Sequence, residues 1–142
     1  NGRTNIDVKG KMIKDKVWVE KGSEISKFVS LSGPIAIGKN SKIMSDAHIG
    51  PNTVIGSDVT ISSGVNVESS VIFNSTKLNK NSRAFGCIIG ENVNVGCGVH
   101  IKQEAIIGDG SILQEGCVIS EKSKIWPNNI VKVNNLITGT MK

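Results

Sequence analysis

Two histidines and three cysteines carry most of the reactive chemistry available near neutral pH in this 142-residue chain. An imidazole at His48 or His100 could act as general base toward a hydroxyl held within hydrogen-bond reach. The thiols of Cys87, Cys97 and Cys117 are odd in number, and no two form a C-x-x-C pair. That argues against a zinc or redox centre and for reduced thiols in a cytoplasmic protein. A three-histidine metal site within one chain would need a third imidazole, and two imidazoles several coils apart cannot share one ion. Gly96-Cys97-Gly98 follows an apolar run, as a phosphate-binding loop would, but opens no helix and reads as a corner. What these residues can do depends on the elements that hold them.

Those elements follow from a repeat. Aliphatic residues recur every six positions at Val19, Ile25, Leu31, Ile37, Ile43, Ile49, Ile55, Ile61 and Val67. After one five-residue step come Ile72, Leu78 and Ala84. After a second come Ile89, Val95, Ile101, Ile107, Leu113, Ile119, Ile125 and Val131. Ala84 alone departs from the aliphatic rule. An amphipathic helix would need apolar spacings of three and four, which are missing.

Two positions before each aliphatic the residue is usually small or β-branched: Ser41, Ala47, Thr53, Val59, Ser70, Thr76, Ser82, Ala105 and Ser111 among others. Residues i and i−2 of a strand share a side, so both point inward, one large and one small. Three positions after the aliphatic stand Gly22, Asn40, Asp46, Asn52, Asp58, Gly64, Asn81, Asn92, Gly98, Gly110, Gly116 and Asn128. These types tolerate positive φ, so each short strand ends in a tight corner. Three strands and three corners close a triangular coil of about 18 residues. Six to seven coils at the spacing of neighbouring strands make a prism roughly 30 Å long. The fold class is all-β, a parallel β-helix over residues 17–133. Residues 1–16 are a connector or N-terminal cap and residues 134–142 a C-terminal tail. The start at Asn1-Gly2, without Met, reads as a cut from a longer chain.

Residues flanking each inward aliphatic point outward, which sorts the surface into three faces. On the face through Ile55 and Ile89 the preceding outward residues are Trp18, Ala36, Val54, Val71, Ile88, Ile106 and Lys124. The following ones include Gly38, Gly56, Phe73, Gly90, Gly108 and Trp126. An apolar stripe of this length exceeds what a soluble monomer usually exposes, so Val54, Val71, Phe73, Ile88 and Ile106 are candidate interface residues of a homo-oligomer. The face through Ile49 carries His48, Asn66, Arg83, His100 and Val118, a polar column that could hold an anion. The two histidines lie three strands apart, about 14 Å. The face through Ile43 carries Glu24, Lys42, Thr60, Lys77, Asn94 and Ile112, a solvated surface.

Composition excludes further classes. Seventeen Lys and Arg against twelve Asp and Glu make the chain basic, but the lysines are scattered and aromatic residues few, which does not suit nucleic acid. No apolar run is long enough to span a membrane, and no secretory leader is evident.

The hexads resemble those of hexapeptide-repeat proteins, whose [LIV]-G-x-x-x-x motif appears at Ile37-Gly38, Ile49-Gly50, Ile55-Gly56, Ile89-Gly90, Val95-Gly96 and Ile107-Gly108. That resemblance implies left-handed winding. Glu68–Asn74, Gly86–Asn92 and Lys124-Ile125-Trp126-Pro127-Asn128, with Val17-Trp18-Val19 near the start, are similar to the C-terminal β-helix of sugar-phosphate nucleotidyltransferases, mannose-1-phosphate guanylyltransferase type. Asn129 departs from that pattern, where a lysine is usual. The resemblance implies a non-catalytic oligomerisation or regulatory domain of an enzyme making NDP-sugars from NTP and sugar 1-phosphate. Catalysis and its Mg²⁺ would then belong to an N-terminal domain, with no cofactor, metal or catalytic residue in this chain. Two alternatives stand beside it. One is an acetyl-CoA-dependent hexapeptide-repeat acyltransferase using His48 or His100, and the other a purely structural assembly subunit.

Overall fold

Two-residue strands cannot persist alone, so the chain stacks them. A computed structural model describes residues 11–142, and in it the strands lie in three parallel sheets that form the sides of a left-handed triangular coil of about seven turns. One side, here the Ile88 face, runs Val17–Val19, Ile35–Ile37, Thr53–Ile55, Val71–Ile72, Ile88–Ile89, Ile106–Ile107, Lys124–Ile125 and Thr140–Met141. The second, the Asn94 face, runs from Glu24–Ile25 to Ile130–Val131. The third, the His100 face, runs from Ser30–Leu31 to Leu136–Ile137. Each strand pairs with the equivalent strand one coil earlier and one coil later, as in Val54↔Val71↔Ile88↔Ile106.

The inward aliphatics form one continuous column. Ile43, Ile49, Ile55, Ile61, Ile72, Leu78, Ile89, Ile101, Ile107 and Leu113 are all but solvent-free, each worth about 1.5–3 kcal/mol of burial. Ala84, the exception to the aliphatic rule, also faces inward, between Val67 and Ile101. The small slot beside them is filled by Ser41, Ala47, Thr53, Val59, Ser70, Thr76, Ser82, Ala105 and Ser111, and by Cys87 and Cys117.

The corners repeat as faithfully. All twelve Gly, Asn and Asp positions expected to turn have positive φ, from 54° at Asn92 to 83° at Gly22. Their amides reach back one coil, as in Asn40 N–H to Lys21 O (3.2 Å) and Asn81 N–H to Ser63 O (3.1 Å). The same φ appears at Phe28, Ser75, Glu104 and Lys122, where residue type gives no such hint.

Both ends differ from the regular coil. Lys11–Lys14 runs antiparallel to Val17–Val19 and covers the first edge of the Ile88 face. This strand lies within the segment read as connector or cap, and residues 1–10 of that segment are outside the described residues. At the other end, Leu136–Ile137 and Thr140–Met141 extend two faces beyond residue 133, into the segment read as a tail. Asn134 (φ 57°) and Gly139 (φ 81°) supply the corners that let the coil continue. No helix among the described residues is long and apolar enough to cross a membrane.

Candidate functional site

On the Ile88 face, parallel register sets Val54, Val71, Ile88 and Ile106 directly above one another, so four apolar side chains form a ridge on the outside of the tube. Val54 is 48% exposed, Ile88 43% and Ile106 40%, while Val71 is half-buried between its neighbours. Phe73, 45% exposed, stands on the far side of the inward Ile72. Beside the ridge, the backbone at Gly38, Gly56, Gly90 and Gly108 passes so close to the next coil that a Cβ there would collide with it. The outcome is a ridge flanked by side-chain-free floor. One depression of about 450 Å³ follows that floor and includes Phe73, Ile88, Ile106 and Pro127.

The stripe ends where charge begins. Lys124 takes the outward place after Ile106, and the exposed Trp126 ring lies 5.4 Å from the Lys142 ammonium. At the opposite end Trp18 is half-buried, and its indole N–H is enclosed without an acceptor among the described residues.

The His100 face carries the polar column. His48 pairs in register with Asn66, Asn66 with Arg83, and Arg83 with His100. The two histidines therefore share a face but not a site, with two strands between them. His48 is exposed, whereas the half-buried His100 meets the Phe85 ring edge-on, centroids 5.8 Å apart and planes at 90°. Burial, with Lys102 and Arg83 close by, holds the His100 imidazole below the usual histidine range, against an opposing pull from Glu121. No carboxylate hydrogen-bonds to either imidazole among the described residues, so neither has the partner that would orient it as a base. No three His, Cys, Asp or Glu side chains come together among those residues in a way that could hold a metal.

The thiols divide by position. Cys87 and Cys117 are buried in the small inward slot, where loss of solvent pushes both up to about 11, and Cys97 is exposed at a corner. A residue group that sequence reasoning passed over gathers where two consecutive corners are short. Glu68, Phe85, Lys102, Gln103 and Glu121 surround His100 there in a depression of about 550 Å³.

Hexads broken by only two five-residue steps, repeated left-handed corners and three parallel faces define the class: a hexapeptide-repeat β-helix. Among solved structures the fold is similar to the acetyltransferase domain of PglB from Neisseria gonorrhoeae FA1090, at 16% identity and TM-score 0.54, covering 89% of this chain and 51% of that one. It is similar also to PerB from Caulobacter crescentus, at 13% identity and TM-score 0.56, covering 88% of this chain and 50% of that one. A third is LpxA, a UDP-N-acetylglucosamine acyltransferase from Bacteroides fragilis 9343, at 16% identity and TM-score 0.57, covering 92% and 68%. The chain thus spans about half the length of the first two, and identities this low establish the fold alone. No curated protein matches the chain. Residues 31–140 match the GMPPB C-terminal domain, and the chain belongs to that family. It is the family type that the segments 68–74, 86–92 and 124–128 resemble.

Proposed function

We propose that this chain is the assembly domain of an enzyme that forms an NDP-sugar from an NTP and a sugar 1-phosphate, with the chemistry in an N-terminal domain outside this sequence. The match of residues 31–140 to the GMPPB C-terminal domain carries the reading. The Ile88-face ridge supports it, because an exposed apolar strip several coils long is stabilised by covering it with a like surface. Mg²⁺ chemistry would belong to that N-terminal domain.

The test compares the full-length enzyme with this chain alone, each supplied with GTP, mannose 1-phosphate and Mg²⁺. The expected result is pyrophosphate release by the full-length enzyme and none by the chain, with both forming oligomers. Conversion of acetyl-CoA by the chain alone, abolished by His100→Ala or His48→Ala, would replace this reading with an acyltransferase. A chain that stays monomeric, and whose ridge variants leave the full-length enzyme's mass unchanged, would remove the assembly role.

A further inference from the structure

Along the edge where the His100 face turns into the Ile88 face, two successive corners are each one residue short. Val67 to Ile72 and Ala84 to Ile89 span five residues, while every other step between successive inward residues from Val19 to Val131 spans six. Strands Asn66–Glu68 and Arg83–Phe85 run a residue longer than most of their neighbours on this face and pass straight into Ser69 (φ 51°) and Gly86 (φ 65°). In the next two coils the corners keep their extra residue, at Gln103-Glu104 and Glu121-Lys122. The edge is cut back and then restored, which leaves the 550 Å³ depression lined by Glu68, Phe85, His100, Lys102, Gln103 and Glu121.

The lining selects among ligands. The carboxylates of Glu68 and Glu121 balance Lys102 and the neighbouring Arg83, so the rim has no net attraction for an anion, which disfavours a phosphate or a coenzyme A tail. A purely apolar ligand would cover both carboxylates, the ammonium and the Gln103 amide without pairing them, at a cost for each. A small ring with C–H faces and several hydroxyls meets both demands. Its C–H face can lie on Phe85, and its hydroxyls can donate to Glu68 and Glu121 and accept from Lys102 and Gln103. The neutral imidazole of His100 offers one donor and one acceptor beside it.

We propose that this depression is a binding site for a neutral pyranose. It lies on the face adjoining the Ile88 ridge, and its lining shares no residue with that ridge, so it is a separate surface from the one assigned to assembly.

The site is tested by titrating the chain with methyl α-D-mannopyranoside, methyl α-D-glucopyranoside and, separately, inorganic phosphate, following the Phe85 and His100 ring signals by NMR. At least one glycoside should shift both signals saturably with a millimolar Kd. Phe85→Ala and the exposed-site variant Glu121→Gln should each raise that Kd by about tenfold, the loss of one contact to a charged or aromatic partner. Glu121→Gln touches no buried contact, so it reads the site even if Phe85→Ala disturbs the coil. No saturable shift with either glycoside, a Kd read from the His100 signal that is unchanged in both variants, or phosphate saturating the same signals would each overturn the proposal.

Discussion

The backbone amide of Val93 donates to the hydroxyl of Thr76, one coil earlier, at 3.1 Å. That hydroxyl in turn donates to the carbonyl of Gly90 at 2.6 Å. Ser41 repeats the arrangement between Val59 N–H and Gly56 O, and Ser111 between Asn129 N–H and Trp126 O. Along this edge hydroxyl and valine alternate through Ser41, Val59, Thr76 and Val93, each hydroxyl bridging to the next coil. Replacing Thr76 with Val keeps the shape but leaves the Val93 amide buried without an acceptor. The expected loss is about 1–3 kcal/mol of unfolding free energy by urea titration, and an unchanged midpoint would remove the hydroxyl from the account.

Corners should differ in their tolerance of a side chain. Gly64 has φ 74°, and a Cβ there would run into the Asn81 side chain stacked on it. Gly98 has φ 69° with nothing within 4 Å of the same position. Gly98→Ala should therefore cost only the backbone term, about 1–2 kcal/mol, and Gly64→Ala measurably more. Gly98→Asn should be milder than Gly98→Ala, because Asn populates this backbone region routinely. Equal losses at Gly64 and Gly98 would mean that stacking across the corner contributes nothing.

Ridge variants should separate assembly from folding. Val71→Asp or Ile88→Asp places a carboxylate on an outward, partly exposed site, so the coil should keep its circular dichroism spectrum. A charge buried in a self-contact would be strongly unfavourable, so the mass seen by light scattering should fall toward that of the monomer. Variants that retain the native mass would show that the ridge is not the contact.

The buried thiols predict an alkaline limit. Cys87 and Cys117 are raised from 9.0 to about 11 by burial, so the folded state holds protons that the unfolded chain releases first. Their stabilising contribution is complete below pH 9 and declines as pH rises toward 11. Urea midpoints measured at pH 8 and 10.5 should show this decline, flattened in a Cys87→Ala/Cys117→Ala variant. One thiol, Cys97, should react with a disulfide reagent in the native protein, and three after unfolding.

How far the sequence leads depends on which force sets each feature. The inward column and the twelve corners are chosen by residue type, so Ile89 and Asn92 announce their places. Phe28, Glu104 and Lys122 adopt the same left-handed φ because coil closure demands it, and their side chains give no sign of this. The strands at Lys11–Lys14 and Thr140–Met141 fall outside the hexad rhythm, and only pairing with a neighbour brings them into the sheets. Ile137 keeps the six-residue step from Val131, with Asn134 at its corner, so the coil beyond residue 133 is legible in the sequence. The ridge follows from alternation and could be assembled residue by residue. The depression around His100 could not, since Phe85 and Glu121 are 36 positions apart and meet only because the coils stack. Its one trace in the sequence is the pair of five-residue steps.

Coil closure also makes the molecule a ruler. Removing 18 residues from the regular region, one full turn, should shorten the tube by about 4.8 Å and leave every later side chain facing as before. Removing six would shorten it by a third of that and rotate everything downstream by about 120°, carrying Ile106 off the line of Ile88 while each hexad stayed locally intact. Length and azimuth are therefore coupled through a single integer. Hexads can be gained or lost in threes without disturbing the faces, while a single one would put surfaces on the two halves of the tube out of phase.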